Sequence, residues 1–140
     1  MAELVTPYAE WYAAADDHDT MRLAEIVTPD CELVAPGANL RGPEQIARWV
    51  QVFFDAFPDL NHPISTAVLS GDTLAVELRL KGTHTGPLLS PQGTVPPTKQ
   101  AIDLREANVL TCSGERIASV HIYFDQVEFL TQIGLMPASG

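Results

Sequence analysis

The segment Ser119–Asp125 carries four side chains that can transfer protons, at every second position. Apolar residues occupy the positions between them. Because successive side chains of a β-strand point to opposite faces, a strand here places all four on one side. Such a row is either a solvated surface or the wall of a reactive pocket, and periodicity leaves both open while slightly favouring the solvated surface. The four residues are Ser119, His121, Tyr123 and Asp125.

A second strand pattern, Gln100–Thr111, also carries polar groups that suit acid/base chemistry. On one of its two faces, Asp103 and Arg105 form an ordinary solvated pair. The charge pattern therefore favours the opposite face as the inner one, which places Glu106 and Asn108 inside the domain. The alternative to a ligand contact is an internal hydrogen-bond network.

Aromatic residues recur on the predicted helices that would cover these strands. A carboxylate in an apolar pocket has its pKa raised by desolvation, which brings the pKa closer to the working pH of an acid/base catalyst. The aromatic residues are therefore candidates for a substrate-binding lining, although core packing is the alternative at such spacing. They are Trp11 and Tyr12 on the first helix, and Trp49 and Phe53 on the third.

The composition predicts one soluble domain, residues 1–140. Eighteen acidic and eight basic residues give a net charge of −10, which argues against nucleic acid and anionic membranes as partners. No apolar run approaches the ~18 residues of a membrane span, and no signal segment is apparent, so a cytoplasmic location is expected. Cys31 and Cys112 lie far apart and are expected to be buried reduced thiols. No metal site is predicted, because no His-x-x-x-His spacing occurs.

The order of the elements predicts an α+β fold in which a curved antiparallel sheet wraps around helices. A pocket is then expected at the open end. The predicted helices are Glu3–Ala15, Thr20–Val27, Pro43–Ala56 and Gln126–Ile133. The predicted strands are Cys31–Ala35, Asn61–Leu69, Thr73–Gly82, Gln100–Thr111 and Glu115–Asp125. The segment Pro87–Thr98 is predicted to be a long loop or lid.

Four motifs in sequence resemble the SnoaL-like polyketide cyclase (ester cyclase) family of the nuclear-transport-factor-2-like superfamily, whose domains are cone-shaped. They are Phe57-Pro58-Asp59-Leu60, the Gly-Thr-His-Thr-Gly-Pro segment 82–87, the strand 117–125 with its Tyr-x-Asp ending, and Leu130–Pro137. The resemblance spans nearly the whole chain and implies a homodimer or homotetramer.

The resemblance also implies roles for individual residues. Asp125 matches the acid/base of an intramolecular aldol ring closure, which would face the cavity and bring Tyr123 and His121 to the same wall. His84 matches the histidine of the glycine-rich motif and could donate to a developing oxyanion. Asp125 is also a good N-cap for the last helix, and the two roles are compatible.

The expected function is therefore cofactor-independent acid/base catalysis on a hydrophobic small molecule, with aldol cyclisation of a polyketide-like substrate as the leading reaction. One alternative is epoxide hydrolysis, ether-ring closure or hydroxylation by a relative of this type. Epoxide hydrolysis would require Glu106 as a second carboxylate. Another alternative is a non-catalytic domain that binds a small molecule or forms oligomers. Separately, outward-facing Glu77, Arg79 and Lys81 beside apolar positions favour dimerisation through the sheet.

Overall fold

Four helices are present in the computed structural model, which describes residues 4–137. The second and the third begin at recognisable local signals. The Asp19 side chain caps the second helix by accepting a hydrogen bond from Arg22 N at 3.2 Å, and Pro43 opens the third at the position where its missing N–H is harmless. The predicted start of the first helix at Glu3 lies outside the described residues. The helices are α1 (Tyr8–Asp16), α2 (Thr20–Glu25), α3 (Pro43–Ala56) and α4 (Gln126–Gln132).

The strands form a six-stranded sheet and a separate two-stranded hairpin. The order in the large sheet is β2-β1-β8-β7-β4-β3. The strands are β1 (Val27–Ala35), β2 (Ala38–Arg41), β3 (Ile64–Ser70), β4 (Thr73–Thr83), β5 (Leu88–Ser90), β6 (Gly93–Val95), β7 (Ala101–Ser113) and β8 (Arg116–Tyr123).

The sheet is mixed, which differs from the predicted antiparallel arrangement. Strand β1 lies parallel to β8, whereas the other neighbours are antiparallel. After Ala35 the chain makes a tight hairpin into β2, and Gly37 adopts φ +74° at the turn. Similarly, the predicted loop Pro87–Thr98 contains the β5–β6 hairpin, and the buried Leu88 anchors it to the core.

The core lies between the helices and one face of the sheet. On β4 the predicted alternation is confirmed: the even-numbered residues from Leu74 to Leu80 are buried, and Glu77, Arg79 and Lys81 are exposed. The inner face predicted for β7 is also confirmed, since the even-numbered residues from Ile102 to Leu110 are buried. This alternation is what turns Glu106 and Asn108 toward the helices.

The glycine-rich motif packs directly on the end of α3. Asp59 accepts hydrogen bonds from Thr83 N at 2.7 Å and from Thr83 Oγ1 at 2.9 Å. A Cβ at Gly86 would lie 1.9 Å from the carbonyl oxygen of Asp55, so only glycine permits this close approach. Two of the motifs that carried the resemblance thus join α3 to β4 and shape the fold around the core.

None of the helices in residues 4–137 has the length and apolar character that a bilayer crossing requires.

Candidate active site

A mainly apolar cavity lies between the helices and the inner face of the sheet. Its empty volume is about 660 Å³, which includes the part open to solvent. Helices α1, α3 and α4 supply mostly aromatic side chains, and β7 supplies the two polar residues of its inner face. The lining residues are Trp11, Tyr12, Ala15, Leu23, Trp49, Val50, Phe53, Phe54, Leu60, His62, Leu80, Glu106, Asn108, Ile122, Phe124 and Phe129.

Glu106 is a buried carboxyl group in the wall of this cavity. Only 7 % of the Glu106 surface is exposed. Burial raises the pKa of Glu106 from its usual 4.5 to about 7, and the neighbouring His62 and Asn108 partly oppose this increase. Desolvation is the dominant cause because water can no longer solvate the carboxylate. A carboxyl group with this pKa can accept and return a proton near neutral pH.

Asn108 and Tyr12 form a polar pair next to this carboxyl group. The Asn108 Nδ2 donates a hydrogen bond to the Tyr12 hydroxyl oxygen at 2.8 Å. Burial raises the pKa of Tyr12 well above its usual range, so the phenol stays protonated. Since the amide donates, the phenolic proton remains available for another acceptor. The Asn108 Oδ1 is buried and has no hydrogen-bond partner within residues 4–137.

His62 is a cavity residue that the sequence reasoning missed. Its ring Nδ1 lies 3.0 Å from Asp16 Oδ1, and its backbone N–H donates to the same oxygen at 3.0 Å. The two residues are 46 positions apart, and His62 precedes Pro63 at the entry to β3. Neither periodicity nor a motif in the sequence signals this contact.

Six of the residues predicted to bind substrate do lie together in the cavity wall. Their side chains come from three elements: α1, α3 and β7. The structure thus gathers the polar and aromatic candidates in one site. These residues are Glu106, Asn108, Tyr12, Trp11, Trp49 and Phe53.

The inward orientation implied for Asp125, Tyr123 and His121 is not what the structure shows. Within β8, Ile122 pairs with Asn108 and shares its inner face, so the alternate residues face outward. Tyr123 is 58 % exposed. The His121 Nε2 lies 3.0 Å from Glu32 Oε1 on this outer face.

Asp125 lies beyond the end of β8, where it caps α4. Its Oδ1 accepts hydrogen bonds from Val127 N at 2.9 Å and from Glu128 N at 3.2 Å. Between β8 and α4, the aromatic neighbour Phe124 lines the cavity and Asp125 does not. The position fits the helix-capping role that its sequence context also indicated.

His84 is buried, as the alternation of β4 predicts, but it does not line the cavity. Its ring lies 5.3 Å from that of Phe57, and its Nδ1 accepts a hydrogen bond from Thr98 N at 3.2 Å. Burial lowers the pKa of His84, so the imidazole is held in its neutral form. In this position His84 connects the end of β4 to the segment before β7.

The comparisons with known proteins agree with this architecture. A candidate SnoaL-like polyketide cyclase from Jannaschia sp. CCS1 superposes with a TM-score of 0.80 and 22% identity, covering 97% of this chain and 100% of that one. A Catenulispora acidiphila protein with a ketosteroid isomerase-like fold, solved with trimethylamine, superposes with a TM-score of 0.77 and 24% identity, covering 97% of this chain and 99% of that one.

IdmH, a candidate polyketide cyclase from Streptomyces antibioticus, is 26% identical with a TM-score of 0.73, covering 91% of this chain and 95% of that one. None of the curated proteins compared with the chain matches it. The family model for SnoaL-like polyketide cyclases matches residues 6–133. Because the match extends from the turn before α1 to the end of α4, the chain belongs to the SnoaL-like polyketide cyclase family.

Proposed function

We propose that the protein is an acid/base catalyst that closes a ring in a hydrophobic, polyketide-like molecule by an intramolecular aldol reaction, with Glu106 as the base. One observation carries the proposal: a carboxyl group with a pKa of about 7 lies in the wall of an aromatic-lined cavity. Membership of the SnoaL-like family supports the substrate class and the type of reaction.

The proposed reaction begins with the transfer of a carbon-bound proton. Glu106 removes a proton from the carbon next to a carbonyl group, and the electron pair of that C–H bond forms an enolate. The enolate carbon then attacks a second carbonyl carbon, and a C–C bond forms as the π bond of that carbonyl group breaks. The resulting alkoxide takes up a proton from water, and Glu106 releases its proton to water. The Tyr12 hydroxyl, whose proton is available, is placed to stabilise the enolate oxygen.

The first step can be tested without the natural substrate. 2-Tetralone is a small bicyclic ketone with acidic protons beside its carbonyl group, and deuterium exchange of these protons in D₂O can be followed by NMR. We expect the protein to accelerate exchange far above the rate that an equal concentration of acetate produces. Exchange no faster than with acetate would contradict the proposal and favour a binding domain without catalysis.

Asp125 offers a second test, because two substitutions separate capping from catalysis. Asparagine caps helices about as well as aspartate, so Asp125→Asn should preserve stability, whereas Asp125→Ala should lower the free energy of unfolding by about 1 kcal/mol. Both variants should exchange 2-tetralone protons at nearly the wild-type rate, measured by the same NMR assay. A loss of about 10²-fold in Asp125→Asn would instead assign the acid/base role to Asp125.

We also propose that two copies of the chain pair through the outer face of the sheet. A groove on this face lies between β3, β4, β7 and β8 and contains Glu77, Arg79, Arg105 and the exposed Tyr123. Carboxylates and guanidinium groups on one face can complement the same groups in a second copy, as an isologous interface requires.

The substitution Tyr123→Asp would place a charge in this interface and is expected to give a monomer of 15.2 kDa. The wild type is expected to have twice that mass. Light scattering coupled to size-exclusion chromatography measures both masses. A monomeric wild type would contradict the proposed pairing, and Leu89→Asp, an exposed position on the β5–β6 hairpin, is the control that should keep the wild-type mass.

A further inference from the structure

The Asp16–His62 pair differs from the other histidine–carboxylate pair of the described chain. In both pairs the ring nitrogen and the carboxylate oxygen are 3.0 Å apart. The His121 side chain is 38 % exposed on the outer face of the sheet, whereas the His62 side chain is 12 % exposed and lines the cavity. Only His62 therefore combines a carboxylate partner with access to a bound molecule.

Asp16 fixes the orientation of the His62 ring. Its Oδ1 lies within 3.0 Å of both Nδ1 and the backbone nitrogen of His62. Partial burial raises the pKa of Asp16, but the hydrogen bonds and the charge interaction with His62, together with the charge interaction with His18, outweigh this effect and lower the pKa below its usual value. Asp16 thus remains a carboxylate that accepts the Nδ1 proton, and Nε2 is left for a molecule in the cavity.

His62 and Glu106 face the same cavity from different elements. His62 precedes β3, and Glu106 lies on β7. The positive charge of a protonated His62 favours the ionised form of Glu106, as the lowering of the Glu106 pKa by His62 shows. Asp16 contacts the His62 ring, and His18 in turn acts on Asp16 by lowering its pKa. One cavity therefore contains a carboxyl group that can take a proton and, from a different element, a histidine ring that can give one.

We propose that His62, positioned by Asp16, is a second catalytic residue, which donates a proton from Nε2 to the substrate oxygen on which negative charge develops. This inference rests on the proposed function. As Glu106 breaks the C–H bond and takes its proton, the electron pair moves through the new C=C bond to the carbonyl oxygen. The Nε2–H bond then breaks and an O–H bond forms. His62 is left neutral, with its remaining proton on Nδ1 and hydrogen-bonded to Asp16. Exchange with water returns both groups to their starting states.

The test uses 2-naphthol, the aromatic counterpart of the enol of 2-tetralone, as a probe of the oxygen site. We expect His62→Gln to weaken its binding about tenfold or more, the scale of a hydrogen bond to a charged group. Asp16→Asn should weaken binding less, because the imidazole remains but loses its charged partner. The matched control is His121→Gln, which removes the outer-face histidine and should leave affinity unchanged.

Two-dimensional ¹H–¹⁵N spectra of the wild type add a measurement that needs no variant. Addition of 2-naphthol should shift the His62 Nε2 resonance and leave that of His121 in place. Equal affinity in His62→Gln, absence of binding by the wild type, or an unshifted His62 resonance would overturn the proposal. Failure of the proposed function is a separate result, since it is judged by 2-tetralone exchange and its dependence on Glu106.

Discussion

The substitution Glu106→Gln is expected to lower the rate of 2-tetralone exchange by about 10²-fold or more. Glutamine keeps nearly the same shape and remains polar, but it cannot accept the carbon-bound proton. Losses of this size are typical when a positioned general base is removed. NMR exchange rates of the wild type and the variant, measured at equal protein concentration, provide the comparison.

The dependence of this rate on pH gives a further check of the same role. A general base must be ionised to act, so the wild-type rate should rise as the pH increases through a pKa of about 7. The control is Glu115→Gln, which removes an exposed carboxylate from the turn between β7 and β8 and should retain the wild-type profile. A variant Glu106→Gln with a near-normal rate would assign the proton transfer to another residue.

The inner faces of β4 and β7 were predictable because in each strand one alternate set is distinctly more apolar or less charged. On β7, Asp103 and Arg105 belong in water, and Asp103 pairs with a residue of the adjacent strand: Arg79 Nε donates to Asp103 Oδ1 at 2.8 Å. That preference was enough to place Glu106 and Asn108 inside. In such strands, local pattern and tertiary position agree.

The last strand was harder because both of its faces are chemically plausible in a cavity. The pattern slightly favoured Ile122 and Phe124 as the inner set, which is the arrangement observed. The family resemblance turned the prediction toward Asp125, although the strand ends at Tyr123 and Asp125 follows it as a helix cap. A shift of a single residue decides which face a side chain occupies, and a motif does not determine that register.

His62 could not be predicted for a different reason. Its partner Asp16 is at the end of α1, and the contact depends on how α1 packs against the start of β3. Sequence spacing carries no information about such a pair. The parallel pairing of β1 with β8 likewise joins distant segments of the chain, through contacts such as Leu33 with Val120.

Glu106→Gln is also expected to make the protein more resistant to unfolding at alkaline pH than the wild type. The unfolded chain ionises Glu106 at its usual pKa of 4.5, whereas the folded protein holds the proton up to about pH 7. Between these values the folded state binds more protons, so the stability of the wild type falls as pH rises. At pH 8 the raised pKa of Glu106 lowers the free energy of unfolding of the wild type by about 3 kcal/mol.

The comparison between pH 4 and pH 8 isolates this effect from the other consequences of the substitution. At pH 4 both side chains are neutral in the folded state, so any difference in packing or hydrogen bonding appears there. Urea denaturation should show that the stability of Glu106→Gln relative to the wild type increases by up to about 3 kcal/mol between pH 4 and pH 8. Glu115→Gln, with its exposed side chain, should show no such increase. If the relative stability of Glu106→Gln is the same at both values, the carboxylate is well solvated in the folded protein and lacks the raised pKa that its proposed role requires. An increase in stability together with a loss of exchange would mean that the fold retains a destabilising carboxylate at the position where the reaction needs a base.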